Sequence, residues 1–311
     1  MSIKRIRCPY CVSLRTKKKG RQDGIQRYQC NDCGKKFRSK RNRVHTSGTL
    51  WDKYTNKKQT LQELADTYGK SHVWIRKHLD AHRPSPPTIE PCSTVLVADT
   101  TFWGRRYGVL VFRSWTLRKN IWWGEVETEK VAHYHYARKM LEARGWVFTA
   151  AVVDGRRGLA NVFKDIPVQV CQFHQLQTVT KYLTRRPKTE AGKELRALAL
   201  TLTKTDEKTF TKALQVYEEK WKHFLNEKTI MLGLNRPQYT HKNVRSALRS
   251  LKTNLINLFT YQRYPELHIP NTTNTIDGYF ASVKKKTAAH HGLRRDRRFR
   301  VISELLSSDE E

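Results

Sequence analysis

Two closely spaced cysteine pairs near the N-terminus constrain the fold of this chain more than any other feature. Cys8 and Cys11 form the first pair and Cys30 and Cys33 the second, with two residues inside each pair and 18 residues between the pairs. This spacing is typical of a zinc ribbon, in which each pair supplies two thiolates to one metal from a tight turn. We therefore expect Zn²⁺ to organise a segment too short to fold by burial alone. Two disulfides are the alternative, which a reducing cytosolic setting disfavours.

The net charge of the chain narrows its possible partners. Sixty Lys and Arg against 28 Asp and Glu give the 311 residues a net charge of +32. So many like charges repel one another, and binding to a polyanion would offset this repulsion. Nucleic acid is the leading candidate for that partner. Residues 1–45 carry fifteen Lys or Arg and two Asp, a net charge of +13. This favours a ribbon that lies on phosphates, with a merely solvated basic tail as the alternative.

The hydropathy pattern predicts an intracellular protein without membrane contact. No apolar run approaches the roughly 20 residues that span a bilayer, and the N-terminal sequence MSIKRIRCPYC lacks the apolar segment of a signal peptide. Hydrophobic residues make up 38% of the chain and aromatic residues 10%, which is enough to build a core. We therefore expect most of the chain to fold.

The segment TLQELADTYGKSHVWIRKHL predicts a pair of short helices. Gly69 suits a tight turn between them and Ser71 can cap the second helix, as in a helix-turn-helix, although plain packing units share this spacing. We expect phosphate and base contacts from Ser71, His72, Trp74, Arg76 and Lys77. The proline-rich HRPSPP that follows stops the helix and predicts a domain boundary.

Beyond this linker the pattern becomes that of an α/β protein. STVLVADT, YGVLVFRSW and NIWWGEVE predict three strands, VAHYHYARKMLEARG a helix, and WVFTAAVVDG a fourth strand. PVQVCQFHQ predicts a short fifth strand that leads into a helix. Residues 178–264 are almost wholly helical in pattern, which indicates a helical insertion.

Three acidic residues are candidate metal ligands. Asp99 and Asp154 each follow four apolar residues, so we expect both at the sheet edge where ligands of α/β proteins bind; a turn or helix cap is the alternative. Asp277 lies in a helix predicted to begin near Asn274, with Lys284 on the same face. The alternative to a role as metal ligand is that Asp277 forms a capping box with Asn274. Carboxylates suit hard divalent cations, and a two-metal site could position an attacking water or hydroxyl.

The segment HHGLRRDRRFR carries five Arg and two His within eleven residues. It predicts a surface that contacts phosphates, with a solvated helix end as the alternative. The side chains expected on this surface are Arg294, Arg295, Arg297 and Arg298, and Lys284 of the preceding helix is expected to hold a phosphate beside Asp277.

Taken together, the cysteine pairs, TLQELADTYGKSHVWIRKHL, VLVADT, AVVDG, VCQFHQ and TNTIDGYFASVKKK…HHGL resemble bacterial insertion-sequence transposases, akin to the Mutator-like superfamily. The resemblance implies an α/β, RNase-H-like mixed sheet flanked by helices with a helical insertion, preceded by a zinc ribbon and a helix-turn-helix. It implies DNA cleavage and strand transfer with Mg²⁺ or Mn²⁺ on Asp99, Asp154 and Asp277. Most relatives have Glu at the third position. Cys171 and His174 then support the site; the alternative is a buried thiol and a helix-start histidine without chemistry.

The resemblance also sets domain limits and partners. The ribbon covers residues 1–45, the helix-turn-helix 46–82, a linker 83–90, the first part of the catalytic core 91–177, the insertion 178–265, and the final helix with the basic C-terminal segment 266–311. The implied partners are double-stranded DNA, as terminal repeats and as target, and further copies in a homodimer or larger assembly. The implied location is the bacterial cytoplasm at the nucleoid. A decayed DNA-binding regulator and a simple metal-dependent nuclease are the other functions that fit.

Overall fold

A computed structural model describes residues 6–22, 25–38, 44–83, 88–230 and 237–308 of the chain. The chain forms two compact units, Met1–Arg83 and Pro84–Glu311. Residues 84–87 of the predicted linker lie outside the described ranges, and the finer domain limits stay predictions. A membrane-spanning segment is absent from the described helices, all of which are too short or too polar for that role.

The first unit begins with a small antiparallel sheet. Strands β1 (Thr16–Gln22), β2 (Ile25–Cys30) and β3 (Lys36–Arg38) pair in that order. The buried cluster beneath them consists of Cys8, Cys30 and Phe37. Because so small a core buries little apolar surface, this sheet needs a further source of stability.

Three helices complete the first unit: α1 (Val44–Thr55), α2 (Leu61–Tyr68) and α3 (His72–Ala81). They pack against one another. Gly69 adopts the left-handed conformation with φ of +57°, and the Ser71 side chain accepts a hydrogen bond from the backbone N–H of Trp74. The predicted turn and cap are therefore confirmed. Val73 fits the apolar pattern of the sequence but is 72% exposed, since it lies on the outer face of α3.

The second unit is built on a mixed sheet flanked by helices. Its elements are β4 (Ser93–Phe102), β5 (Gly108–Ser114), β6 (Lys119–Val126), α4 (Val131–Glu142), β7 (Val147–Val153), α5 (Leu159–Val162) and β8 (Val168–Val170). The strand order is β6-β5-β4-β7-β8, in which β4, β7 and β8 run parallel and β5 and β6 antiparallel to their neighbours. The carboxyl ends of the three parallel strands therefore meet at one edge.

A helical region follows β8, as the sequence predicts. It contains α6 (Gln172–Leu183), α7 (Glu190–Leu200), α8 (Glu207–Lys220), α9 (Lys222–Asn226), the strand pair β9 (Lys228–Thr229) and β10 (Gln238–Tyr239), α10 (Lys242–Leu258) and α11 (Thr260–Arg263). Its leucine-rich faces form their own buried cluster, and α10 packs on α6 and β8. The helical region is thereby anchored to one side of the sheet.

The final helices return to the sheet. α12 (Asn274–Ala288) packs against β4 and α13 (Arg295–Ser307) against β6. Two hydrogen bonds fix α13, from Asn120 Nδ2 to the carbonyl of Leu306 at 2.9 Å and from Trp123 Nε1 to Ser303 Oγ at 3.0 Å. This return brings α12 to the edge where β4 and β7 end.

Candidate functional site

Four thiols converge in the small sheet of the first unit. Cys8 Sγ lies 3.6 Å from Cys33 Sγ, and Cys11 Sγ lies 3.5 Å from Cys30 Sγ. All four sulfurs lie within 4.8 Å of one another, and all four cysteines are free thiols. Thiolates about 2.3 Å from a tetrahedral zinc ion are about 3.8 Å apart. The donor set and its spacing fit zinc, and the disulfide alternative is wrong.

The turn of the second cysteine pair favours the thiolate form of Cys30. Gly34 has φ of +70°, and its N–H donates to the carbonyl of Cys30 at 3.1 Å, which closes the turn of the second pair. The backbone N–H of Cys33 lowers the pKa of the Cys30 thiol to about 7. A backbone hydrogen bond at Ser13 lowers the pKa of Cys11, but hydrogen bonds with the thiols of Cys30 and Cys33 outweigh it and raise that pKa to about 12. The turn therefore prepares a metal ligand at neutral pH.

A second group of candidate ligands lies in the second unit. Ligand atoms of Asp99, His174 and Asp277 all lie within 4.8 Å of one another. Asp99 is only 6% exposed, whereas the side chains of His174 and Asp277 are 17% and 29% exposed. The structure thus joins two of the three predicted acids to the predicted supporting histidine.

Asp99 lies within its strand and not at the strand's end, which corrects the sequence prediction. β4 continues to Phe102 because Thr100 and Thr101 keep pairing with β5. Pairing of β4 with β7, however, ends at Val97 opposite Val152, so Asp99 lies beyond the last parallel pair. The carboxylate of Asp99 therefore reaches the predicted edge from a part of β4 that no longer pairs with β7 but still pairs with β5.

Asp154 lies next to this group and outside its closest contacts. It directly follows β7, as predicted, but it is not among the ligand atoms that lie within 4.8 Å of one another. Its charge still acts on both Asp99 and His174. Gly155 beside it approaches Asn254 of α10 so closely that an added Cβ would lie 2.6 Å from Asn254 Nδ2. The helical region therefore packs directly against the Asp154 turn.

The three acids and His174 form a strongly coupled group. Burial raises the pKa of Asp99 to about 7 and also raises the pKa of Asp154. Burial lowers the pKa of His174, but a hydrogen bond with Cys171 and the charge of Asp99 outweigh it and raise that pKa to about 10. Several pKa values perturbed together by burial and by charged neighbours, at one edge of a sheet, are typical of a functional site.

Thr273, which the sequence analysis did not identify, links these residues. Its buried hydroxyl lies 3.3 Å from Cys171 Sγ, 3.4 Å from His174 Nδ1 and 3.1 Å from Asp277 Oδ2. It also precedes α12 as the cap residue, which puts Ile276 and not Asp277 at the capping-box position. The capping-box alternative for Asp277 is therefore wrong. Only contacts between distant segments identify Thr273, so no local sequence pattern could have found it.

Basic side chains surround this edge of the sheet. The turn between β4 and β5 exposes Arg105 and Arg106, which the sequence analysis also missed. Lys284 Nζ lies 5.8 Å from the ring of Trp103 in this turn, and Trp103 Nε1 donates to Thr287 Oγ1 at 3.0 Å. The positive charges of the β4–β5 turn and of Lys284 on α12 therefore lie close to one another.

The arginines of α13 divide between two faces of the helix. Arg294 and Arg295 are exposed, but Arg295 forms an ion pair of 3.3 Å with Glu127, and Arg298 lies 5.2 Å from the ring of Tyr107. Arg297 is only 9% exposed, so the prediction that it lies on the phosphate-contacting surface is wrong. It precedes Val301 by four residues and therefore lies on the same inward face of the helix.

The predicted DNA contacts of the first unit lie on and beside α3. Ser71, Arg76 and Lys77 are exposed, whereas His72 and Trp74 are half-buried. His72 Nε2 lies 2.9 Å from Gln62 Oε1, and the ring of Trp74 stacks on His78 with a centroid distance of 3.7 Å. The exposed basic side chains are available to phosphates, and the half-buried rings shape the surface between them.

A scan against protein-family models found no match for this sequence, and a search of curated proteins found none either. Any functional assignment rests on the geometry of the two sites. That geometry brings together four thiols that could hold a metal such as zinc, and it brings Asp99, His174 and Asp277 to a spacing that could hold a metal ion, at a sheet edge bordered by exposed arginines.

The raised pKa of Asp99 predicts that cation binding by the second site depends on pH. Below a pH of about 7 the carboxyl holds a proton that a cation must displace, whereas above it the carboxylate is already ionised. We expect the affinity for Mn²⁺ to rise with pH between pH 5.5 and 9, and to rise more steeply below pH 7, where Asp99 and His174, whose pKa is about 10, must both lose a proton when the ion binds. Isothermal titration calorimetry with the zinc-loaded protein measures this. An affinity independent of pH over the same range would contradict it.

Proposed function

We propose that this chain is a DNA transposase that binds the ends of its element and carries out metal-dependent strand cleavage and strand transfer. The observation that carries the proposal is the approach of Asp99 and Asp277 to within ligand distance beside Asp154. These acids come from segments far apart in sequence, and nothing in the local folding of either segment requires them to meet. Such convergence of carboxylates at a sheet edge is typical of a functional site.

The arrangement of the second unit supports an RNase-H-like core. Its mixed sheet is flanked by helices, and a helical region lies between Asp154 and Asp277, as the resemblance to insertion-sequence transposases implies. Asp99 lies on the central strand β4, and Asp154 follows the adjacent parallel strand β7. Asp277 lies on α12, which packs against β4. Each acid therefore belongs to a different rigid element, which fixes the distances between them.

The helices of the first unit support recognition of duplex DNA by a helix-turn-helix. α3 begins after a tight glycine turn and exposes Arg76 and Lys77, which suit phosphates and base edges. Val73 is 72% exposed on the same helix. An exposed apolar side chain on a recognition helix suits the methyl group of thymine. The basic ribbon would add sequence-independent affinity for the backbone.

The chemistry follows from these groups. A bound Mg²⁺ or Mn²⁺ ion supplies Lewis-acid stabilisation and lowers the pKa of water. Asp99 and Asp277 would hold the cation with the charge of Asp154 beside them, while Lys284 and the arginines of the β4–β5 turn would hold the phosphates of the strand in line for attack. The side chains of this chain form no covalent bond to DNA. Joining two element ends to a target requires at least two copies of the chain, so we propose a homodimer or larger assembly.

Cleavage of supercoiled plasmid by the purified protein with Mg²⁺ or Mn²⁺ tests the proposal. We expect nicked and joined products from the wild type, none from Asp154→Ala, and activity from Asp277→Glu, which lengthens the third acid by one methylene. Inactivity of the wild type together with activity of Asp277→Glu would instead favour a decayed, DNA-binding regulator. Cleavage without strand-transfer products from an oligonucleotide substrate would favour a simple nuclease.

The β4–β5 turn provides a separate prediction for DNA binding. We expect the double substitution Arg105→Ala and Arg106→Ala to weaken binding equally for all DNA sequences. Since each lost phosphate contact lowers the dependence of log K on log salt by about 1, the slope should fall by about 2. Fluorescence anisotropy of a labelled duplex over a range of salt concentrations measures both effects.

Arg144→Ala is the matched control for this substitution. Arg144 is exposed but precedes β7, at the edge of the sheet opposite Asp154. We expect its removal to leave the salt dependence unchanged. A control effect half as large as that of the double substitution would show that the arginines of the turn act only through net charge.

A further inference from the structure

We propose that His174 is a nitrogen ligand of the cation site together with Asp99 and Asp277, and that the site therefore prefers Mn²⁺ and related transition metals to Mg²⁺. The inference rests on the proposed function for what the cation does, but the binding itself is independent of DNA. The sequence predicts three acids as ligands. In the proposed site, the imidazole of His174 takes the place of the Asp154 carboxylate among the groups that contact the ion directly.

The spacing of the three groups fits a single ion. Two ligands about 2.1 Å from one ion lie about 3 Å apart when adjacent and about 4.2 Å apart when opposite. His174 Nε2 lies 3.9 Å from Asp277 Oδ1, and all the ligand atoms lie within 4.8 Å of one another. These separations lie close to those that one ion requires. Asp154 lies outside this spacing and would act on the ion through its charge or through a bound water.

The neighbours of His174 hold the ring in the orientation of a metal ligand. Metal-bound histidines usually donate the other ring N–H to a fixed acceptor, which selects the tautomer. The Thr273 hydroxyl lies 3.4 Å from Nδ1 of His174 and donates to Asp277 Oδ2 at 3.1 Å. Because its only proton goes to Asp277, its oxygen is left to accept the Nδ1 proton. Nε2 is then the nitrogen that faces the carboxylates.

Cys171 completes this arrangement from the other side. The backbone N–H of Thr273 donates to Cys171 Sγ at 3.3 Å, and the thiol lies 3.3 Å from the Thr273 hydroxyl. Cys171 and Thr273 are both fully buried, so the two residues lock the start of α6 to the start of α12. His174 on α6 and Asp277 on α12 are thereby held at a fixed separation.

The mixed donor set determines the metal preference. Mg²⁺ takes oxygen ligands and loses its waters reluctantly, whereas an imidazole raises the affinity for first-row transition metals. A site of two carboxylates and one imidazole therefore favours Mn²⁺ over Mg²⁺, while the four thiols of the ribbon retain zinc. The two metals would be sorted within one chain by ligand type.

Pulsed electron paramagnetic resonance of Mn²⁺ added to the full-length, zinc-loaded protein tests the ligand directly. We expect a hyperfine coupling to imidazole nitrogen in the wild type and in His135→Asn, which alters an exposed histidine of α4. The coupling should be lost in His174→Asn. A wild-type spectrum without nitrogen coupling would overturn the proposal.

Calorimetric affinities for Mn²⁺ and Mg²⁺ test the preference and the role of Thr273. We expect His174→Asn to lower the Mn²⁺ affinity by a factor of about 10 or more and to change the Mg²⁺ affinity much less. Thr273→Val should lower the Mn²⁺ affinity about tenfold, whereas Thr273→Ser, which retains the hydroxyl, should preserve it. Equal losses for both ions in His174→Asn would contradict nitrogen ligation.

These measurements are separable from the test of the proposed function. Nitrogen coupling in a protein that never cleaves DNA would support the ligand assignment and contradict the transposase proposal. Strand transfer by a protein without nitrogen coupling would do the reverse.

Discussion

Replacing Cys8 by Ser is expected to abolish zinc binding and to unfold the ribbon while the second unit stays folded. The buried cluster of the ribbon contains Cys8, Cys30 and Phe37, which is too little apolar surface to hold the sheet. In small zinc domains the metal supplies about 10 kcal/mol or more of the folding free energy. Mass spectrometry under native conditions should show one zinc ion per wild-type chain and none in Cys8→Ser. In NMR spectra of Cys8→Ser, the amide signals of β1–β3 should lose their chemical-shift dispersion.

Cys92→Ser is the matched control for this experiment. Cys92 is a half-buried free thiol of the second unit and lies outside both ligand groups found among the described residues. The control should retain zinc and the signals of the ribbon. Retention of zinc by Cys8→Ser would exclude the four-thiolate site.

Replacing Asp99 by Asn is expected to abolish cleavage and, in the protein without Mg²⁺ or Mn²⁺, to increase stability. Under the proposed function the carboxylate would provide several kcal/mol of transition-state stabilisation through the cation, so its loss should lower the rate by a factor on the order of 10³. Burial of Asp99 raises its pKa from 3.8 to about 7, and each pKa unit corresponds to about 1.4 kcal/mol. Removing the charge should therefore stabilise the protein without Mg²⁺ or Mn²⁺ by on the order of 4 kcal/mol above pH 7.

The pH dependence of this stabilisation provides its check. Because the pKa is raised in the folded state, the penalty is fully present above pH 7 and falls as Asp99 takes up a proton between pH 7 and about 4. Urea unfolding of both zinc-loaded proteins without added Mg²⁺ or Mn²⁺ should give free energies that differ at pH 8 and converge near pH 4. An advantage of Asp99→Asn that does not depend on pH would show that packing, and not the buried charge, is responsible.

The sequence predicts those parts of the site that depend on local spacing. Cys8 and Cys11 share one turn, so two residues between them suffice to indicate a metal ligand pair. Gly69 and Ser71 are similarly readable, because a left-handed turn and a helix cap each require a particular residue type. Asp99 and Asp154 were recognisable because each ends a run of apolar residues that a buried strand requires.

The remaining features depend on how distant segments pack. Thr273 has no local signature, since its role arises from contacts with Cys171 and His174 about a hundred residues earlier. Arg297 looks like its exposed neighbours in the sequence, and only the orientation of α13 against the sheet buries it. Whether His174 or Asp154 lies closer to Asp99 depends on side-chain geometry that periodicity does not report.

The hydrogen bond between Trp103 and Thr287 joins residues 184 positions apart, and it has a consequence for biosynthesis. At a translation rate of about 5–20 residues per second, the ribosome needs about 10–40 s to proceed from the first partner to the second. During that interval the first unit is already complete, whereas the helix carrying Asp277 has not yet been made. Under the proposed function, a nascent or prematurely released chain would bind DNA without cutting it and would compete with finished copies for the same ends.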